Sequence, residues 1–229
     1  MSVQNGLDYL YLVWKSEKSR RQYIVGILSK NGSYEFRYGK EIDAARADGF
    51  SPLVAFPDLQ RVYTHDTLFP AFLARLPDKK RKNISEILQK YGLEKYDPYN
   101  LLKQSGARLP IDNFEFIDPV FDYKKPFERS FPLAGARHYL GCKGEECNNA
   151  VNVNRGDEVF LRQDAKNPKD TCAVAVYSES DNLLGYIPRY YSEGIFDLLR
   201  TGHTVNCYVK RVDMKKNCNE CIILDLKVA

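Results

Sequence analysis

The hydrophobic period changes part-way along the first half of the chain. Leu10-Tyr11-Leu12-Val13-Trp14 and Tyr23-Ile24-Val25-Gly26-Ile27-Leu28 are short aromatic and β-branched runs that predict buried strands. Tyr34-Glu35-Phe36-Arg37-Tyr38 alternates aromatic with polar, the period of a strand with one face on a core. Between the last two runs lies Lys30-Asn31-Gly32-Ser33, and Asn-Gly in that position predicts a hairpin. Four helical stretches follow. Glu41–Ala47 stops at Gly49, and Thr67 is placed to cap Leu68–Leu76, with Pro70 in its first turn. In Lys79–Tyr91 the residues Ile84, Ile87 and Leu88 share a face, and Gly92 ends it. Tyr99–Gln104 opens after Asp97-Pro98 and closes at Gly106.

The second half reads as strands with a single helix. Arg137–Leu140, Glu158–Leu161, Cys172–Tyr177, Asn182–Ile187, Thr204–Val212 and Cys221–Val228 are six short candidate strands. Ser192–Leu199 carries Ile195, Phe196, Leu198 and Leu199 on one side of a helix. Many short strands and one helix predict a small, partly closed barrel. The two halves join at Asp118–Arg129, where two prolines and interleaved charges suit a linker. The predicted division is therefore an α+β domain over 1–119, a linker over 120–130 and a mostly-β barrel over 131–229.

Bulk properties narrow the partners. A chain of 229 residues, 44% apolar and 13% aromatic, can bury a core in each half. Residues 1–119 hold 18 Lys+Arg against 15 Asp+Glu, and the remainder holds 16 against 15. Neither balance suits a protein that coats nucleic acid through bulk charge, so any nucleic-acid contact must rest on a local pocket. The N-terminus lacks the basic region and apolar run of a signal peptide, and no segment is apolar enough to span a membrane. These features predict a cytoplasmic protein with free thiols.

The densest polar motif is Gln163-Asp164-Ala165-Lys166-Asn167-Pro168-Lys169-Asp170, which runs into the strand at Cys172. Asn and Asp bond their own backbone and hold sharp turns. Upstream are Gly135-Ala136-Arg137-His138-Tyr139-Leu140-Gly141 and Gly156-Asp157, and downstream is Gly185-Tyr186-Ile187-Pro188-Arg189. In this order the motifs resemble a HIRAN domain across Phe131–Val228. The resemblance implies an OB- or SH3-like barrel that binds single-stranded DNA, with preference for a free 3′ hydroxyl end. It assigns Asp170 to the terminal hydroxyl, Tyr139 to a base and His138 to the end pocket. Arg137 and Arg189 fall to phosphates, and Asn167 and Tyr186 shape the pocket. Two positions depart from the family's pattern: His138 stands where a second Tyr is common, and Lys169 where an aromatic is common. Both retain a means of contacting DNA. Strand alternation places His138 and Tyr139 on opposite faces, so one of the pair is expected in the core.

The first half resembles the N-terminal subdomain of HipA-family proteins over Leu7–Asp118. The resemblance rests on the three strand runs, on Leu68-Phe69-Pro70-Ala71-Phe72-Leu73-Ala74-Arg75-Leu76-Pro77-Asp78, and on Tyr96-Asp97-Pro98-Tyr99-Asn100-Leu101-Leu102. That subdomain precedes a kinase core in the family. No phosphate-gripping glycine loop with a downstream Lys occurs here, and kinase activity is not carried over.

Remaining chemistry is sparse. Cys142, Cys147, Cys218 and Cys221 form two pairs that would suit a tetrahedral zinc site if their loops met, although free thiols are the favoured reading. No other cofactor is expected. Lys79-Lys80-Arg81-Lys82 reads as a solvated basic face or a phosphate contact at a helix start. Asp112, Glu115 and Asp118 cluster without a nuclease pattern, and His65 and His203 lack nucleophile partners, so no catalytic residue is assigned. The expected function is non-enzymatic recognition of single-stranded DNA or 3′ ends, in a bacterial defence, repair or toxin–antitoxin setting. The N-terminal domain would take a protein partner or add DNA contacts. The alternative is a protein-interaction module that binds no DNA.

Overall fold

A computed structural model describes residues 8–119, 126–140, 153–213 and 221–228. The chain forms two compact units, divided between residues 120 and 121. In the first unit, β1 (Asp8–Lys15), β2 (Gln22–Asn31), β3 (Ser33–Tyr38), β4 (Tyr63–His65) and β5 (Phe114–Ile117) make one antiparallel sheet in the order β4-β3-β2-β1-β5. The Asn31-Gly32 hairpin forms as the sequence predicts, with Gly32 at φ 80°. Leu10, Leu12, Val25, Leu28 and Phe36 line the buried face. Against it pack Ile42 and Ala45 of α1 (Ile42–Ala47), Phe72 of α2 (Pro70–Leu73), and Tyr99 and Leu102 of α4 (Pro98–Ser105). The proline-bearing segment between α1 and β4 is held by Tyr38, whose hydroxyl donates to the Phe56 carbonyl (2.7 Å) and accepts from the Leu53 N–H (2.8 Å).

Asp97 caps α4 through its side chain, and Gly106 closes it at φ 68°. Two other predicted helices are shorter than expected. Thr67 does not cap α2: the N-cap position falls on Phe69, and the Thr67 hydroxyl lies 3.2 Å from His65 Nδ1 instead. Past Leu73, Arg75 and Leu76 make tight three-residue turns while the Arg75 side chain reaches Asp112. The helix expected from Lys79 is α3 (Ile84–Lys90). Asp78 folds the basic run into a turn by accepting the Lys80 N–H (2.7 Å), so Lys79–Lys82 precede the helix and do not begin it.

The acidic cluster beside β5 is structural. Arg75 forks onto Asp112 at 2.6 and 2.9 Å, Arg108 meets Glu115 at 3.2 Å, and Lys103 meets Asp118 at 3.6 Å. Burial works against the Asp112 charge, but the Arg75 and Phe114 hydrogen bonds outweigh it and hold the carboxyl below its ordinary range.

The second unit is a curled antiparallel sheet in the order β6-β11-β10-β7-β8-β9. Its strands are β6 (Phe127–Pro132), β7 (Glu158–Asp164), β8 (Ala173–Tyr177), β9 (Leu183–Tyr186), β10 (Val205–Val212) and β11 (Ile222–Val228). Strand β6 occupies the last residues assigned from sequence to the linker. Its alternation, with Phe131 buried, is too short and too charged to stand out beside Lys124–Arg129. The chain just past β6 joins the two ends of the sheet. Ala134 exchanges both backbone hydrogen bonds with Tyr186 of β9, at 2.9 and 2.8 Å. A Cβ on Gly185 would lie 2.5 Å from the Ala134 carbonyl, so glycine permits this closure. Helix α6 (Arg189–Arg200) buries Ile195 and Leu198 against a core that includes Val174, Val176, Cys207 and Leu224. Burial pushes the Cys207 thiol up to about 12, as suits an inert core cysteine.

Candidate nucleic-acid interface

Arg137–Leu140, expected as a strand, is instead the single turn α5 (Ala136–Tyr139). Having paired with Tyr186, the chain must leave the sheet at once. Gly135 at φ 75° provides that bend, and the turn closes through His138 N–H to the Gly135 carbonyl (2.8 Å). The change of period alters the surface. Only Ala136 is buried, and Arg137, His138 and Tyr139 are all exposed, so neither His138 nor Tyr139 is a core residue. Tyr139 is 45% exposed, and its ring lies tilted at 5.6 Å from that of Tyr186.

Tyr186 is held from behind. Its hydroxyl donates to Asp164 Oδ2 (2.9 Å), and that oxygen also accepts from Asn167 Nδ2 (3.1 Å). Burial first, and then the Asp164 carboxylate, push the Tyr186 hydroxyl well above the ordinary phenol range. Asn167 Oδ1 accepts the Lys169 N–H (3.0 Å), which leaves the Lys169 side chain on the surface. Asp170 completes the turn. Its Oδ1 accepts the Cys172 N–H (2.9 Å), and its Oδ2 accepts the Ser192 hydroxyl (2.8 Å) from the first turn of α6. Arg189 donates to the Lys169 carbonyl and stands 4.0 Å from Asp170 Oδ2. Burial, and then the neighbouring Asp170 charge, push the Cys172 thiol above its ordinary range.

Contacts thus run from Tyr139 through Tyr186, Asp164, Asn167 and Lys169 to Arg189 and Asp170. Arg137 and His138 share α5 with Tyr139. Two residues in this network escaped the sequence reading. Asp164 stands three residues before Asn167, at the first position of a β-turn in which its carbonyl accepts the Asn167 N–H (3.0 Å). Ser192 stands three after Arg189, on a helix whose start only the fold reveals.

Residues 127–227 match the HIRAN domain family. The second unit is a HIRAN domain. Residues 20–110 match the HipA N-terminal domain, so the chain joins the two modules. Among solved structures, the HIRAN domain of human HLTF is 18% identical, with a TM-score of 0.33 over 45% of this chain and 74% of that one. A Lactobacillus plantarum protein is 19% identical, with a TM-score of 0.34 over 46% of this chain and all of that one. No curated protein matches the chain.

Cys142, Cys147 and Cys218 lie outside the described residues, and Cys221 is buried at the head of β11. Among the described residues no group of three or more His, Cys, Asp or Glu is arranged to hold a metal ion. No helix among them is long and apolar enough to cross a membrane.

Proposed function

We propose that the HIRAN domain binds single-stranded DNA at a free 3′ end and has no catalytic role. The observation that carries this reading is the half-exposed Tyr139 ring beside Tyr186, with Arg137 and His138 on the same turn and Lys169 and Arg189 tied to Tyr186 through Asp164 and Asn167. An aromatic face offers a base about 1–3 kcal/mol of stacking whatever its identity, and the cations suit phosphates. Asp170 supplies an acceptor that a hydroxyl satisfies and a terminal phosphate opposes. Its oxygens already accept two hydrogen bonds, and each retains a further lone pair. Its pairing with a HipA N-terminal module supports placing that binding in bacterial defence, repair or a toxin–antitoxin system.

The HipA N-terminal domain supports a second partner. Leu12, Leu53, Val54, Ala71, Phe72 and Phe114 line an apolar cavity of about 380 Å³, with Val54 fully exposed at its rim. Arg75 in its wall spends its donors on Asp112, Ala107 and Phe114. An apolar side chain of a protein partner fits such a lining.

Fluorescence anisotropy with three oligonucleotides tests the DNA reading: a single strand with a free 3′ hydroxyl, the same strand 3′-phosphorylated, and a blunt duplex. The first should bind most tightly. Equal binding to all three with a steep salt slope would indicate a non-specific basic surface. No binding to any would leave the protein-interaction reading.

A further inference from the structure

Register places more than the end pocket on one face of the barrel. Tyr186 of β9 lies opposite Ala175 of β8, and Ala175 lies opposite Arg162 of β7. Directly paired residues point to the same side of a sheet, as do residues two apart on one strand. Phe160 and its partner Tyr177 therefore share this outer face with Arg162, Ala175 and Tyr186. Ala175 in the middle is buried, with the Tyr139–Tyr186 pair on one flank and Tyr177 with Phe160 on the other. Adjacent strands are about 4.8 Å apart, so Arg162 lies about 10 Å across the sheet from Tyr186.

The second flank is built for stacking. Phe160 is 43% exposed, a large apolar group that packing does not require on the surface. The Arg162 guanidinium lies 4.3 Å from the centre of the Tyr177 ring and pairs with Asp181 at 2.6 Å. Both members of that pair are more than half exposed, so exchanging the Asp181 carboxylate for a phosphate costs little. The face is not basic, because Glu158, Asp164 and Asp181 offset Arg162. Its recognition chemistry is therefore ring stacking with one guanidinium.

We propose that this face carries a single strand onward from the end pocket, with a base stacked on Phe160 and a phosphate at Arg162. The inference rests on the end-binding reading and extends it. A barrel of this type engages about 4–16 nucleotides, more than Tyr139 and Tyr186 alone can stack.

The test uses the full chain and oligothymidines of about 3 and about 10 nucleotides, each with a free 3′ hydroxyl, read by anisotropy. Phe160→Ala should weaken the longer strand about tenfold, leave the shorter one unchanged and leave its salt slope intact. Arg162→Gln should weaken the longer strand and flatten its salt slope. Asp181→Asn, which keeps a side chain tolerant of its φ of 61°, should tighten it. Unchanged melting temperatures establish that each variant folds. Wild-type affinity of both Phe160→Ala and Arg162→Gln for the longer strand would overturn the extension and leave the end pocket standing. If the wild-type protein binds neither strand, the end-binding reading fails and the extension with it.

Discussion

Replacing Asp170 by Asn removes one charge while keeping nearly all of the turn. Truncation to Ala is a poorer probe. It deletes the acceptor of the Cys172 N–H and of the Ser192 hydroxyl, each worth about 1 kcal/mol. A loss of about 2 kcal/mol would lower the melting temperature by roughly 10 °C in a unit of this size. Weakened binding by Asp170→Ala would then reflect the distorted turn as much as a lost contact. In Asp170→Asn, Oδ1 still accepts from Cys172. The amide donates to Ser192 Oγ, whose own hydrogen turns to the Arg189 carbonyl at 3.0 Å. The expected change in melting temperature is under about 3 °C. The binding effect is electrostatic. A carboxylate and a phosphate about 4 Å apart repel by about 4 kcal/mol at an effective dielectric of about 20. Asp170 is 23% exposed with Arg189 at 4.0 Å, and both facts reduce the net effect to about 1–2 kcal/mol, or roughly tenfold. Asp170→Asn should therefore bind the 3′-hydroxyl strand several-fold more weakly and lose most of its preference over the 3′-phosphorylated strand. Anisotropy on both strands, alongside thermal melts of both proteins, measures this. A variant that melts like wild type and keeps both affinity and preference would refute the role of Asp170 as hydroxyl acceptor.

Tyr139→Ala removes an exposed ring, so affinity for a single strand should fall about tenfold with the melting temperature unchanged, as paired anisotropy and circular dichroism would report. Gly185→Ala drives a Cβ to 2.5 Å from the Ala134 carbonyl, and losing the closing bridge should cost about 2–3 kcal/mol, visible as a melting transition lowered by roughly 10 °C or more. Asp112 titrates below its unfolded value, so its contribution is complete above about pH 4 and fades as pH falls through the folded value. Asp112→Asn should lose about 2 kcal/mol in urea unfolding at pH 7, and its deficit against wild type should shrink below about pH 4.

The sequence by itself determined the elements whose cause is local. The Asn31-Gly32 hairpin, the Asp97 cap of α4 and its Gly106 stop depend on a few neighbouring residues, and each formed where its chemistry lies. The alternating runs of β7, β10 and β11 were equally legible, because one buried face imposes a period of two, and β8 was legible as a short continuous apolar run, buried on both faces. The motifs around Asn167, Asp170, Tyr186 and Arg189 were recognisable by order and spacing.

Tertiary structure decided what four residues of period cannot. Arg137–Leu140 suits a strand or a turn of helix, and the outcome followed from Ala134, which closes the barrel and obliges the chain to leave the sheet at Gly135. That one event put Arg137, His138 and Tyr139 on the surface together. The basic run at Lys79–Lys82 has helical propensity, yet Asp78 held it in a turn, since a capped turn satisfies the same backbone donors. The polar pairing of Tyr186 with Asp164 and of Asp170 with Ser192 spans 22 residues in each case. Side-chain pairs at such separations meet only when the sheet curls, because register and closure, not local spacing, bring β9 and α6 to the turn after β7.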